Sequence, residues 1–312
     1  MTAPIPFPDP KGVIAACILP FEDDHAIAEQ DYRSHLRYVA ALPGLAGVAQ
    51  VDLEFCEYGE LERVVDILVE EVGGRLPIAF GVHPAQYREA ARLARMAADK
   101  GASALIVRPP RSMGREDPAL ALRHFESIAD ASGLPLVVYQ FPVASGISWP
   151  IETLRMLVDK VPSIRAIKDF CNDPALHQRN IRTFQSLPRP VNIITAHSNW
   201  LMASLVMGAS GLCSSVGSVI SELQIALFEA VQRNDMAAAR AINDRIVPIT
   251  QTLYELPTVN LHTGCKEALL QLGRIRSAAV RPPVSRLDAT AVARIHAALE
   301  TTGLLHKEPV HG

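Results

Sequence analysis

The segment Ile164-Arg165-Ala166-Ile167-Lys168 carries an amine at the end of a short, mostly apolar run. In a strand, successive side chains point to opposite faces, so Ala166 and Lys168 share one face and Ile167 takes the other. If Ile167 packs against helices, Lys168 points to the interior. Burial disfavours an ammonium and leaves a free amine able to attack a carbonyl carbon. The competing reading is a lysine at a strand edge, its head in solvent or paired with Asp169. Tyr139 ends the preceding apolar run, Leu136–Tyr139, three residues before Pro142. A phenol beside an amine nucleophile can relay protons to and from a reacting carbon or hydroxyl. Alone, it is equally an ordinary aromatic at a strand end.

Two such groups need a scaffold that brings strand ends together. Short apolar runs read as strands at Val13–Leu19, Gly47–Val51, Pro77–Gly81, Ala104–Val107, Leu136–Tyr139, Ile164–Lys168, Val191–Thr195 and Gly211–Ser215. Helical patterns separate them, at Tyr32–Leu42, Glu60–Val72, Tyr87–Lys100, Ala119–Ala131, Ile151–Val161, Pro174–Gln185 and Trp200–Met207, with an eighth at Glu222–Arg233. Asp31 and the pair Asp117-Pro118 read as helix starts, and Gly101, Gly133 and Gly208 as helix ends. Eight β/α units close naturally into a (β/α)8 TIM barrel, an α/β fold, over residues 1–234. Three more helices, Met236–Leu253, Thr258–Leu272 and Ala289–Thr301, form a C-terminal extension over 235–312 that is expected to pack on the barrel. A doubly wound sheet is the alternative, but no G-x-G-x-x-G follows the first strand and no phosphate-binding G-x-x-x-x-G-K-[ST] occurs.

Composition narrows the function classes. The 312 residues carry 30 Lys+Arg against 33 Asp+Glu, a net charge of −3, which gives no reason to expect a nucleic-acid or anionic-membrane partner. Apolar residues at 49% exclude a disordered chain. The five cysteines, Cys17, Cys56, Cys171, Cys213 and Cys265, are odd in number and without a C-x-x-C pair, so they read as buried thiols in a reducing compartment. Residues 1–10 carry four prolines and no apolar core of a secretory signal, and no apolar run reaches membrane-spanning length. A soluble, cytoplasmic protein is the expectation.

In a TIM barrel the site lies at the C-terminal ends of the strands. Those ends hold Asp52 and Glu54, then His83, then Arg108 and Arg111, then Tyr139-Gln140, then Lys168-Asp169, then His197-Ser198-Asn199, then Ser214-Ser215. His83 and Glu54 have no third ligand at suitable spacing, so no metal site is expected. Ser145 and Ser215 are small polar groups suited to hydroxyl contacts. His197 suits either contact with substrate hydroxyls and acid catalysis or a structural role. His262 reads as a packing or interface residue.

Nearly the whole chain, from about Gly12 to Leu305, resembles the dihydrodipicolinate synthase/N-acetylneuraminate lyase superfamily. Leu134-Pro-Leu-Val-Val-Tyr139-Gln-Phe-Pro142 is similar to the family's strand 5, and Ile164-Arg-Ala-Ile-Lys168-Asp169 to the strand that holds its Schiff-base lysine. The turn Gly74-Arg-Leu-Pro77 and the stretch from Asn260 to Gly273, with Lys266 and Glu267, also match. The resemblance implies that Lys168 condenses with the keto group of a 2-oxo acid such as pyruvate, with Tyr139 as proton relay. It implies no metal or organic cofactor, and a homo-oligomer, a tetramer.

The departures bear on substrate. Where the family has Gly-Thr-Thr-Gly-Glu, this chain has Gln50-Val51-Asp52-Leu53-Glu54, which keeps the glutamate and sets an anion where a carboxylate should bind. The family's two tyrosines after strand 4 correspond to Pro110 and Arg111, and the synthases' carboxylate-gripping arginine to Ala144. Arg108 and Arg111 put positive charge at the mouth, either for a substrate carboxylate or phosphate or to cap the rim. The leading expectation is a class I lyase that cleaves or dehydrates a hydroxylated, 2-keto-3-deoxy type acid, with Gln140, Ser145 and His197 reading its hydroxyls. Dihydrodipicolinate synthase itself is the second, and an inactive barrel that only binds a 2-oxo acid the third.

Overall fold

The computed structural model describes residues 4–83, 86–109, 117–256 and 261–305. Eight parallel strands close into one barrel in chain order: β1 (Gly12–Cys17), β2 (Leu45–Gln50), β3 (Ile78–Val82), β4 (Ala104–Val107), β5 (Leu136–Gln140), β6 (Ile164–Asp169), β7 (Asn192–Thr195) and β8 (Gly211–Leu212). Helices α1 (Glu29–Ala40), α2 (Tyr58–Val72), α3 (Tyr87–Lys100), α4 (Pro118–Ser132), α5 (Ile151–Lys160), α6 (Pro174–Gln185), α7 (Leu201–Val206) and α8 (Gly217–Gln232) follow the strands one by one. The expected TIM barrel is the fold.

Strand alternation builds two cores. Inward residues, among them Ile14, Ala16, Ala49, Ala79, Ile106, Val137, Ala166 and Ile194, fill the barrel. Their outward neighbours pack beneath the helices in a larger cluster. Small side chains dominate the inner layer because eight strands leave little room inside. At the closing seam Gly12 pairs with Gly211, and a Cβ on Gly211 would lie 2.1 Å from the Gly12 carbonyl oxygen. Only glycine permits that approach.

Asp117 accepts the Leu120 N–H at 3.1 Å with Pro118 at the first turn, and Gly101 and Gly133 close α3 and α4 in the left-handed conformation. Asp31 does not start α1. That helix begins at Glu29, and the buried Asp31 carboxylate accepts the Arg276 backbone N–H at 2.9 Å and its Nε–H at 2.7 Å. β8 also differs from the sequence reading, ending at Leu212 rather than Ser215. The Ser214 carbonyl and hydroxyl accept from Gly217 N–H, turning the chain early into α8.

The C-terminal helices are α9 (Met236–Glu255), α10 (Leu261–Gln271) and α11 (Ala289–Thr302). α9 packs on α8, and α10 touches α8, α9 and α11. Three arginines of the connecting segment latch it to the barrel. Arg274 bonds Glu222, Tyr38 and the Val219 carbonyl; Arg276 bonds Asp31; Arg281 grips Glu60 with two N–H groups. No helix among the described residues is long and apolar enough to cross a membrane. All five cysteines are free thiols, and only Cys56 is not fully buried.

Among the described residues, three histidines outside the cavity at the strand ends are buried as neutral rings. Burial, aided by Arg274, pulls His35 down to about 3; burial alone pulls His124 to about 4; burial, against the pull of Asp169, takes His197 to about 4. The unfolded chain protonates each near pH 6.5. Their contribution to stability is therefore whole above that pH and is lost as pH falls from 6.5 towards 3. While only the unfolded chain holds the proton, each costs about 1.4 kcal/mol per pH unit. Urea unfolding is expected to show a clearly lower midpoint at pH 5 than at pH 7, and equal midpoints would contradict neutral burial.

Candidate active site

β5 and β6 are paired so that Tyr139 lies directly opposite Lys168. Both side chains fall on the inner face, Lys168 only 1% exposed. Its Nζ stands 4.0 Å from the centroid of the Tyr139 ring. The next residue, Asp169, points the other way. Its carboxylate accepts from His177 Nδ1 and Asn180 Nδ2, both at 2.9 Å, and from the Cys171 N–H at 3.0 Å. Burial works to raise its pKa, but those partners outweigh burial and hold it below the usual carboxylate range. The pairing of Lys168 with Asp169 is therefore not made.

Above Lys168 a cavity of about 300 Å³ opens at the C-terminal ends of the strands. Lys168, Tyr139, Val51, Asp52, Glu54, Arg108 and Ser215 line it, as does His83. Among the described residues both ring nitrogens of His83 are buried without a hydrogen-bond partner. Burial first, then Arg108 and Lys168, draws His83 down to about 3, so the ring is neutral. Arg108 lies 3.6 Å from Glu54 and its guanidinium 5.1 Å from the Phe141 ring centre.

Asp52 points into the cavity, and its charge is answered. Oδ1 is 2.8 Å from His262 Nδ1, and Oδ2 accepts the Leu19 N–H at 3.3 Å. Burial opposes ionisation here, but His262, the nearby Lys266 and that N–H hold the carboxyl far below its ordinary value. On its other side, His262 Nε2 is 3.1 Å from Ser215 Oγ. His262, expected in packing or at an interface, thus lines the cavity.

Other expected residues are not brought in. Gln140 faces outward from β5, where its amide bonds the Trp149 backbone and Ser148. Ser145 is exposed in the turn Val143–Ser145, its hydroxyl donating to the Pro142 carbonyl. His197 lies behind the cavity wall, its ring 5.3 Å from Phe170 and 4.7 Å from Tyr254. Arg111 and Pro110 lie outside the described residues, as does Asn260.

Several lining residues carried no local signal in the sequence. Phe21, Phe141, Phe170 and Tyr254 supply an aromatic wall, and the Tyr139 and Phe141 rings stand 4.3 Å apart. Lys266 sits over the Phe21 ring at 4.0 Å; burial lowers its pKa, with Asp52 working against that. Arg281 also lies over this ring, 4.3 Å from its centre. Outside the cavity, Asp169, Cys171 and His177 cluster with ligand-type atoms. Both nitrogens of His177 are already bonded, to Asp169 and Ser204, which makes that cluster structural.

Comparison with known proteins places the chain in a family. The 4-hydroxy-tetrahydrodipicolinate synthase of Methanopyrus kandleri is 27% identical over 300 residues, 95% of this chain and 97% of that one. A putative 2-dehydro-3-deoxy-D-gluconate aldolase of Escherichia coli K12, YagE, is 27% identical over 249 residues, 79% of this chain and 82% of that one. The crystal structure of YagE in complex with pyruvate superposes with a TM-score of 0.86 at 24% identity, covering 94% of this chain and 99% of that one. The N-acetylneuraminate lyase of Proteus mirabilis gives 0.83 at 20% identity, over 95% of this chain and 100% of that one. These two likenesses show the fold. With the model of the dihydrodipicolinate synthetase family matching residues 9–302, the chain belongs to that family and is one of its lyases.

Proposed function

We propose that the protein is a class I lyase that forms an imine between Lys168 and a 2-oxo acid. The observation that carries this reading is a buried amine at the base of a cavity, opposite Tyr139 in the adjacent strand. The amine attacks C2, water leaves, and the protonated imine becomes an electron sink. In a 4-hydroxy-2-oxo acid, loss of the hydroxyl proton breaks C3–C4 and leaves an enamine. Protonation at C3 and hydrolysis then release pyruvate and an aldehyde. Tyr139 donates the proton with which the carbinolamine hydroxyl on C2 leaves as water. Arg108, whose contact with Glu54 is long at 3.6 Å, is the proposed holder of the substrate carboxylate in place of the missing threonine pair.

The polyhydroxyl reading leaned on Gln140, Ser145 and His197, none of which lines the cavity. Phe141, Phe170 and Tyr254 stand there instead. They favour a 4-hydroxy-2-oxo acid with a flat or apolar group at C4. The synthase reading keeps support from the relative of that name. Against it, the exposed Ala144 stands where a carboxylate-gripping arginine is expected. Coupled pyruvate release from aryl-substituted and polyhydroxylated 4-hydroxy-2-oxo acids tests the preference. The aryl series is expected to give at least about tenfold higher kcat/KM, the scale of one to two well-packed apolar contacts. A preference for the polyols would reverse this assignment. The resemblance also implies a homotetramer, which light scattering tests.

Tyr139→Phe keeps the ring beside Lys168 and removes only the hydroxyl. Turnover is expected to fall by about 10²-fold or more, the usual worth of a positioned acid or base. A change under threefold would remove Tyr139 from the proton path.

A further inference from the structure

Asp52, His262 and Ser215 come from the loop after β2, the first turn of α10 and the loop after β8, yet they form one hydrogen-bonded chain inside the cavity that holds Lys168. A carboxylate only accepts, so the proton between Asp52 and His262 belongs to Nδ1. In the neutral ring that leaves Nε2 as an acceptor facing the Ser215 hydroxyl at 3.1 Å, and in the protonated ring Nε2 becomes the donor. The Leu19 N–H fixes the far carboxylate oxygen, so the ring is held from behind. The charged and titratable groups around it are Asp52 and Lys266, with His83 across the cavity and Arg281 at its rim.

We infer that His262 is an acid–base catalyst of this site, exchanging protons with substrate through Ser215, with Asp52 as its positioning residue. This rests on the imine reading of Lys168. In the cleavage direction the C4 hydroxyl gives its proton to Ser215 Oγ while Ser215 passes its own to His262 Nε2. The C3–C4 electron pair moves into the protonated imine, forming the enamine and neutralising its nitrogen. Once the aldehyde has left, the His262 imidazolium gives that proton through Ser215 to C3, the enamine electron pair forms the new C–H bond, and the protonated imine is restored for hydrolysis. Ser215 acts as a relay and not as an acyl nucleophile. The Gly217 and Ser218 N–H groups beyond it are bonded to the Ser214 and Ser215 carbonyls, so they are not open to hold an oxyanion.

The test uses pyruvate in D2O, where the imine must lose and regain C3 protons. Wild-type enzyme, His262→Asn and Ser215→Ala are compared in two assays: borohydride trapping at Lys168, and deuterium entry into the pyruvate methyl group across pH. Trapping is expected in all three, which also reports that the variants are folded. Deuterium entry is expected to fall by about 10²–10³-fold in His262→Asn, with its pH dependence flattened, and to fall in Ser215→Ala as well. Wild-type exchange with an unaltered pH profile in His262→Asn, while trapping persists, would overturn the relay. Absence of trapping in the wild type would bring down the imine reading, and the relay with it.

Discussion

Lys168→Met is expected to abolish lyase turnover and, at the same time, to make the protein more stable. Methionine matches the length of the lysine stem. It removes a polar head from a residue only 1% exposed, one that stands over the face of Tyr139 and within electrostatic reach of His83 and Cys213. Replacing the amine by an apolar tip against the aromatic wall is expected to give about 1–2 kcal/mol. Loss of a covalent nucleophile costs about 10⁴-fold or more in turnover. The opposite signs are the informative part, because a lysine retained against stability is retained for chemistry. Urea unfolding and a pyruvate-release assay on the one variant measure both. A destabilised variant with residual turnover would mean that Lys168 is structural.

The second large effect falls one residue further on. Asp169→Ala is expected to cost about 3–5 kcal/mol, because it strands a buried histidine, a buried amide and a main-chain N–H that share one carboxylate. Asp169→Asn keeps an acceptor oxygen and should cost distinctly less. The carboxyl pKa is lowered in the fold. Its contribution is therefore whole above the unfolded value near 3.9 and lost as pH falls through the folded one. Denaturant midpoints for the two variants measure the difference. Equal midpoints for Ala and the wild type would mean that α6 reaches its place without this anchor.

Alternation explains most of what the sequence reveals. The same period-2 argument that turns Lys168 inward turns Ile167 into the helix layer, and both are so placed. Applied to β5 it also sends Gln140 outward once Tyr139 faces in, so the outward position of Gln140 was already legible. Ser145 carried no such signal, because its turn has no strand period. Asp31 and His262 failed for a different reason. Each is defined by a partner far away in the chain: Arg276 lies 245 residues from Asp31, and α10 folds back over the barrel to set His262 against Asp52 and Ser215. Local propensity holds no information on such pairs. A polar face on the first turns of α10, with His262 and Lys266 four apart, was the one available hint that this helix looks onto something other than core.

Borohydride reduction of the wild-type enzyme in the presence of pyruvate, followed by peptide mass spectrometry, tests the imine most directly. The account predicts a reduced pyruvyl adduct on Lys168 and none on Lys266, the other buried amine of the cavity. An unmodified Lys168 with pyruvate and with longer 2-oxo acids, in enzyme that still binds them, would contradict it and leave a barrel that holds its ligand without covalent chemistry.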